Sequence, residues 1–215
     1  MRTRAVVTTM LQDLGLIAVV RARKAEQVIP LGEALVSGGV RAVEITMTTP
    51  NALTAIRSAV AHFGSRAVIG VGTVLDEATC RGALDAGAEF VVTPVLRPAF
   101  VPIVHEADRP IMLGAYTPTE AQIAHEAEAD FIKIFPAENL GPAYIKAIRA
   151  PLPHLRIVPT GGVDLNNIAD FFKAGCVALG AGGSLVSAKI LERDDWVELK
   201  SKAEAFSSAV KAARK

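Results

Sequence analysis

The chain alternates between two textures, and that alternation limits its fold more than any other feature. Short apolar runs rich in β-branched and aromatic residues recur at 16–20, 42–46, 67–71, 89–92, 110–113, 131–134, 156–158 and 177–179. Between them lie segments with helical patterning, at 25–37, 51–62, 76–85, 119–128, 142–148 and 165–173. Strands without polar alternation are buried on both faces, as in a parallel sheet covered by helices. Several helical segments run into glycine, as at Ser37-Gly38-Gly39, Ala86-Gly87 and Ala174-Gly175, where a helix C-terminus turns left-handed. Eight such units in 215 residues predict an α/β chain forming a single (β/α)8 TIM barrel. The competing doubly wound sheet usually carries a glycine-rich loop after its first strand. Here that strand runs into Val20-Arg21-Ala22-Arg23-Lys24, without glycine. Residues 1–14 are expected to form an N-terminal helix that caps the bottom of the barrel.

No linker, low-complexity tract or charge block divides the chain, so residues 1–215 are expected to be one domain. An apolar fraction of 51% with a net charge of +1 argues against disorder and against a nucleic-acid-binding surface. A mean hydropathy of +0.35 suits strands buried on both faces and a buried subunit interface. No apolar run is long enough to cross a bilayer. The N-terminal apolar stretch is broken by Gln12 and Asp13, unlike a secretory signal. The expected compartment is the cytoplasm, with neither membrane nor nucleic acid as partner. Cys80 and Cys176 lack metal-ligand spacing and read as two small buried thiols.

In a barrel of this kind the chemistry sits at the C-terminal ends of the strands. Those ends carry Arg21; Glu44, Thr46 and Thr48; Thr73; Thr93 and Pro94; Tyr116; Lys133; Thr160-Gly161-Gly162; and Gly182-Gly183-Ser184. His62, His105, His125 and His154 fall in helices or at helix ends and read as structural. Lys133 stands inside the apolar run Phe131-Ile132-Lys133-Ile134. Burial disfavours an ammonium, and the free amine is a nucleophile for carbonyl substrates. The alternative is a structural ion pair, or an amine that reaches water at the strand end. Strand alternation puts Val43 and Ile45 on one face and Ala42, Glu44 and Thr46 on the other. With the apolar pair against the helices, Glu44 points into the barrel toward Lys133. There it pairs with the amine or moves protons. Glycine clusters after both the seventh and eighth strands, the second running into a short helix at 185–188, match the phosphate site common in barrels. No metal-ligand set stands at the strand ends, so no metal and no cofactor are expected.

These residues resemble the class I 2-keto-3-deoxy-6-phosphogluconate (KDPG) and 4-hydroxy-2-oxoglutarate aldolases. The matching segments are Gly38-Gly39-Val40-Arg41-Ala42-Val43-Glu44-Ile45-Thr46, Gly70-Val71-Gly72-Thr73-Val74-Leu75, Thr93-Pro94 and Lys133-Ile134-Phe135-Pro136-Ala137-Glu138. Leu140-Gly141-Pro142, Pro159-Thr160-Gly161-Gly162-Val163 and Gly182-Gly183-Ser184 follow in the same order, and the match covers roughly residues 15–190. The resemblance implies a homotrimer of barrels that cleaves a phosphorylated 2-keto acid to pyruvate and glyceraldehyde 3-phosphate. It implies Lys133 as the Schiff-base lysine and Glu44 as the general acid/base. It places Thr73 at the pyruvate carboxylate, and Gly161, Gly162 and Ser184 at the phosphate with Thr160 and Gly183 in the same loops. Pro94 and Phe135 line the pocket. Some members carry arginine four residues after the glutamate, where this chain has Thr48; Arg21 is the candidate replacement. The galactonate-series epimer is the alternative substrate. A metal-dependent isomerase or decarboxylase, and a non-catalytic phosphosugar-binding barrel, are rivals of other classes.

Overall fold

The computed structural model describes residues 2–215, so Met1 of the expected N-terminal helix lies outside the described residues. The helix α1 (Arg4–Leu14) precedes β1 (Leu16–Val20), and α2 (Val28–Ser37) leads to β2 (Ala42–Thr46). Then come α3 (Ala52–Phe63), β3 (Val68–Gly72), α4 (Glu77–Asp85), β4 (Val91–Val92), α5 (Phe100–Glu106) and β5 (Ile111–Ala115). The second half adds α6 (Pro118–Glu126), β6 (Phe131–Ile134), α7 (Gly141–Arg149), β7 (Ile157–Pro159), α8 (Ile168–Lys173), β8 (Leu179–Ala181), α9 (Ala188–Arg193) and α10 (Trp196–Ala213). All strand pairs are parallel and follow chain order from β1 to β7, and β1 also pairs with β8. The β7–β8 seam is closed by the Val177 N–H donating to the Ile157 carbonyl at 3.0 Å and by a bridge between Thr160 and Gly180. This is the expected (β/α)8 barrel.

Two apolar cores position the site. Outward strand residues such as Val43 and Ile45 pack with Ile56, Phe63 and their neighbours on the helices. Inside the lower barrel, Ile17, Ala42, Val68, Phe90, Met112 and Phe131 pack against Val7 and Leu11 of α1. The helix is therefore the plug predicted at the bottom. Burying a side chain such as Leu11, 1% exposed, stabilises by about 1.5–3 kcal/mol. Arg2 bonds Glu89 and Arg4 bonds Asp130, each at 2.8 Å, which fixes how the plug sits.

Some boundaries move for local reasons. The run at 89–92 yields only Val91–Val92: the Glu89 N–H still donates to the Ile69 carbonyl at 2.7 Å, but the Ile69 N–H goes to the Glu89 carboxylate rather than to a backbone carbonyl. The last strand lies at Leu179–Ala181 rather than 177–179, so Gly180 is a strand residue. A Cβ there would meet Thr160 Oγ1 at 2.3 Å, so only glycine fits. The segment at 25–37 opens with a 3-10 turn, Ala25–Gln27, before α2 begins. α5 and α10 were not singled out by pattern. The first is short and holds Pro102, and the second buries only Leu199, Ala203, Phe206 and Val210 along its length.

Candidate active site

Glu44 on β2 and Lys133 on β6 come from opposite walls of the barrel and meet in its interior. Lys133 Nζ lies 3.7 Å from Glu44 Oε1, and the two side chains are 5% and 3% exposed. Gly72 of β3 makes this possible: a Cβ there would stand 1.8 Å from Glu44 Oε1. At 3.7 Å the pair attracts by charge but forms no hydrogen bond. Glu44 Oε1 is buried and accepts no hydrogen bond from any described group. A purely structural buried pair needs its lone pairs satisfied; this one keeps an acceptor free beside the amine. Lys133 Nζ also lies 5.0 Å from the centre of the Phe135 ring.

Above the pair opens a cavity of ≈ 820 Å³. Its lining brings together Arg21, Thr46, Phe135 and Thr160 with the loops Gly161-Gly162 and Gly182-Gly183-Ser184. Arg21 Nε donates to Thr48 Oγ1 at 3.0 Å. Thr48 Oγ1 lies 2.8 Å from Thr46 Oγ1, which donates to the Val20 carbonyl at 3.1 Å. Thr48 thus holds a guanidinium instead of supplying one.

Gly161 and Gly162 both have left-handed backbone, φ 92° and 72°. A Cβ at Gly162 would lie 2.6 Å from Glu138 Cα, while one at Gly183 would meet nothing within 4 Å. The Ser184 hydroxyl donates to the Val163 carbonyl and ties the two loops together. The expected helix at 185–188 is absent. Leu185 and Val186 N–H groups turn back to the Gly182 carbonyl, and α9 starts at Ala188, capped by Ser187. Ala188, the first residue of α9, is on the cavity lining with Gly182, Gly183 and Ser184.

Thr73 follows β3 with φ 60°, a left-handed conformation that is strained for a β-branched residue. Pro94 follows β4, and Gly114 of β5 leaves room for its carbonyl, 2.4 Å from where a Cβ would stand. Neither Thr73 nor Pro94 is on the cavity lining; both stand at strand ends on the same face. The histidines lie elsewhere: His62 bonds Glu33, His105 bonds Asp130, and the His125 and His154 rings pack together. His154 is in a turn rather than a helix. Cys80 and Cys176 are buried and free, and burial pushes their thiols up to about 11 and about 12. Among the described residues no three His, Cys, Asp or Glu side chains gather as a metal-ligand set, and no helix is long and apolar enough to cross a membrane. A second cavity of ≈ 650 Å³, near Asp13, Arg41 and Arg214, lies among residues remote from the amine–carboxylate pair.

Sequence reasoning missed Arg23, Glu138 and Glu192 on the cavity lining. Glu138 follows the lysine strand and Arg23 lies two residues past Arg21, so both carried a positional signal. Glu192 carried none.

One amine buried against one carboxylate at the C-terminal mouth of a barrel has the parts of an enzyme that forms a Schiff base with a carbonyl compound. The chain belongs to the aldolase family described as KDPG and KHG aldolase, whose model matches residues 7–201. It is 34% identical over 194 residues to 2-dehydro-3-deoxy-phosphogluconate aldolase of Pseudomonas aeruginosa, covering 90% of this chain and 88% of that protein. It is 39% identical over 171 residues to a probable 2-dehydro-3-deoxy-6-phosphogalactonate aldolase of Rhizobium meliloti, covering 79% and 81%. A solved structure described as native KDPGal matches with a TM-score of 0.84 and 32% identity, over 92% of this chain and 95% of that one.

Proposed function

We propose that the protein reversibly cleaves 2-dehydro-3-deoxy-6-phosphogluconate to pyruvate and D-glyceraldehyde 3-phosphate, and 4-hydroxy-2-oxoglutarate to pyruvate and glyoxylate. The observation that carries this reading is the buried Lys133–Glu44 pair with one carboxylate oxygen left free. The Lys133 amine attacks the C2 ketone, and loss of water leaves an iminium. Glu44 takes the C4 hydroxyl proton, the C3–C4 bond breaks into the iminium, and the aldehyde departs. The enamine gains a proton at C3, water hydrolyses the imine, and pyruvate leaves with the amine restored. Thr73 binds the pyruvate carboxylate, and Pro94 and Phe135 wall the pocket. Gly161, Gly162, Gly183 and Ser184 receive the phosphate, with Thr160 beside them. Arg21, held by Thr48, supplies the cation for an anionic end of the substrate.

The identity of 39% to the Rhizobium meliloti protein favours a second reading, in which the galactonate-series epimer is preferred. Retro-aldol assays on both phosphorylated epimers and on hydroxyoxoglutarate, for the parent and Arg21→Ala, decide between them. Faster cleavage of the gluconate epimer supports the first reading, and faster cleavage of the galactonate epimer the second. Failure to cleave any of the three sinks both. A charge-assisted bond contributes about 1.5–3 kcal/mol, so Arg21→Ala should lower kcat/KM by about 10- to 150-fold. An unchanged value on all substrates makes Arg21 a solvated surface charge. The same reading has residues 1–215 acting as one barrel unit in the cytoplasm, assembled as a homotrimer. A solution mass near 22.6 kDa, rather than three times that, contradicts the assembly.

A further inference from the structure

Arg23 lines the same cavity as the glycine loops, between β1 and α2. Its guanidinium faces Glu192 of α9, Nη1 to Oε1 at 3.5 Å, with side chains 59% and 57% exposed. An ion pair this open contributes little to stability. The backbone beneath it is firmly mounted. The Arg23 N–H donates to Gln27 Oε1 at 3.0 Å, and the buried Gln27 side chain donates to the Leu191 carbonyl at 2.8 Å. The loop carrying Arg23 and the helix carrying Glu192 are therefore clamped together, while the guanidinium above them is loosely held. Glu192, Ala188, Gly183 and Ser184 line the cavity beside it.

We propose that Arg23 is a phosphate-binding, specificity-determining residue, and that Glu192 is the anion it gives up when substrate binds. The inference rests on the assignment of the glycine loops to the phosphate. Those loops offer backbone N–H groups to the anion, and Arg23, on the same cavity lining, adds a guanidinium. A phosphate dianion outcompetes a single carboxylate for the guanidinium, whose planar fork matches phosphate oxygens two at a time. Glu192 weakens the hold on any anion, and an end without phosphate gains least from displacing it. The exchange therefore separates phosphorylated from unphosphorylated substrates.

The test measures kcat/KM for the phosphorylated keto acid and for hydroxyoxoglutarate, and competitive inhibition by inorganic phosphate. Arg23→Ala should lower the ratio of the two kcat/KM values by about 10-fold or more and raise the inhibition constant of phosphate. Arg23→Lys, which keeps the charge and loses the fork, should fall between. Glu192→Gln should move the opposite way and tighten phosphate inhibition. Loss of a merely structural pair acts in the same direction from either end, so variants that shift together overturn the proposal. An unchanged ratio in Arg23→Ala also overturns it. Gly183→Val, run alongside, separates the two levels. If it weakens phosphate inhibition and Arg23→Ala does not, Arg23 is wrongly assigned and the loops stand. If neither does, the phosphate assignment of the loops itself fails.

Discussion

Glu44 Oε1 is the atom on which the chemistry turns, because it is buried, near the amine and free of hydrogen bonds. Glu44→Gln keeps the shape and removes the base, so kcat should fall by about 10²–10⁴-fold with substrate affinity retained. A variant with near-normal turnover would leave Glu44 as a structural partner only. Removing one member of a buried pair strands the other, so its melting temperature belongs in the same experiment. Thr73 offers a second test, of a different kind. A strained left-handed backbone costs about 1–3 kcal/mol, and glycine there loses only about 0.5–1 kcal/mol to chain entropy. Thr73→Gly should therefore melt no lower than the parent, yet lose kcat/KM on every pyruvate-yielding substrate. A clear drop in melting temperature with activity intact would contradict the view that strain at Thr73 serves the site.

At the level of elements, the two glycine loops are not equivalent places to probe. A side chain at Gly162 runs into Glu138 backbone at 2.6 Å and faces a φ of 72°, so it would push on the segment that follows Lys133. Gly183 has open space above it. Gly183→Val should raise KM for the phosphorylated substrate by roughly tenfold or more, as expected when a backbone approach to an anion is blocked. The effect on hydroxyoxoglutarate should be much smaller. Equal loss on both substrates, in a variant that melts normally, removes these loops from the phosphate. The elements themselves were unevenly legible in the sequence. β6 was readable because its apolar run is bounded and contains one anomalous charge. β4 was readable as a run at 89–92 but not in its length, because the Glu89 carboxylate takes the Ile69 N–H, a side-chain bond that pattern does not reveal. Gly180 read as part of the glycine loop after the eighth strand and is a strand residue, for Thr160 takes the space of its side chain. Arg23 and Glu192 meet only because the barrel brings β1 back beside β8.

For the whole molecule, closure of the sheet explains why Glu44 and Lys133, far apart in the chain, share one interior. A surface ion pair on the acid side and two buried thiols on the alkaline side set a pH window for stability. Arg66 and then His62 hydrogen-bond Glu33 and hold its carboxyl down to about 2 from 4.5. A depressed carboxyl stabilises the fold above its unfolded value and loses that contribution as pH falls toward about 2. Burial raises the Cys80 and Cys176 thiols from 9.0, so the unfolded chain ionises first and stability falls as pH climbs from 9.0 toward about 11 and about 12. Melting temperature should therefore plateau between the unfolded values, about 4.5 and 9.0, and fall outside them. Glu33→Gln should differ from the parent on the plateau and converge with it at the acid end. A difference that grows toward low pH would reverse the sign and contradict the pairing. The central claim is that one amine of the whole chain carries the covalent chemistry. Borohydride reduction in the presence of pyruvate, followed by peptide mass analysis, reads it directly. The account predicts one reduced-pyruvate adduct per chain, on the peptide containing Lys133, with loss of activity in proportion. An adduct on another lysine, or none from an active preparation, would contradict it.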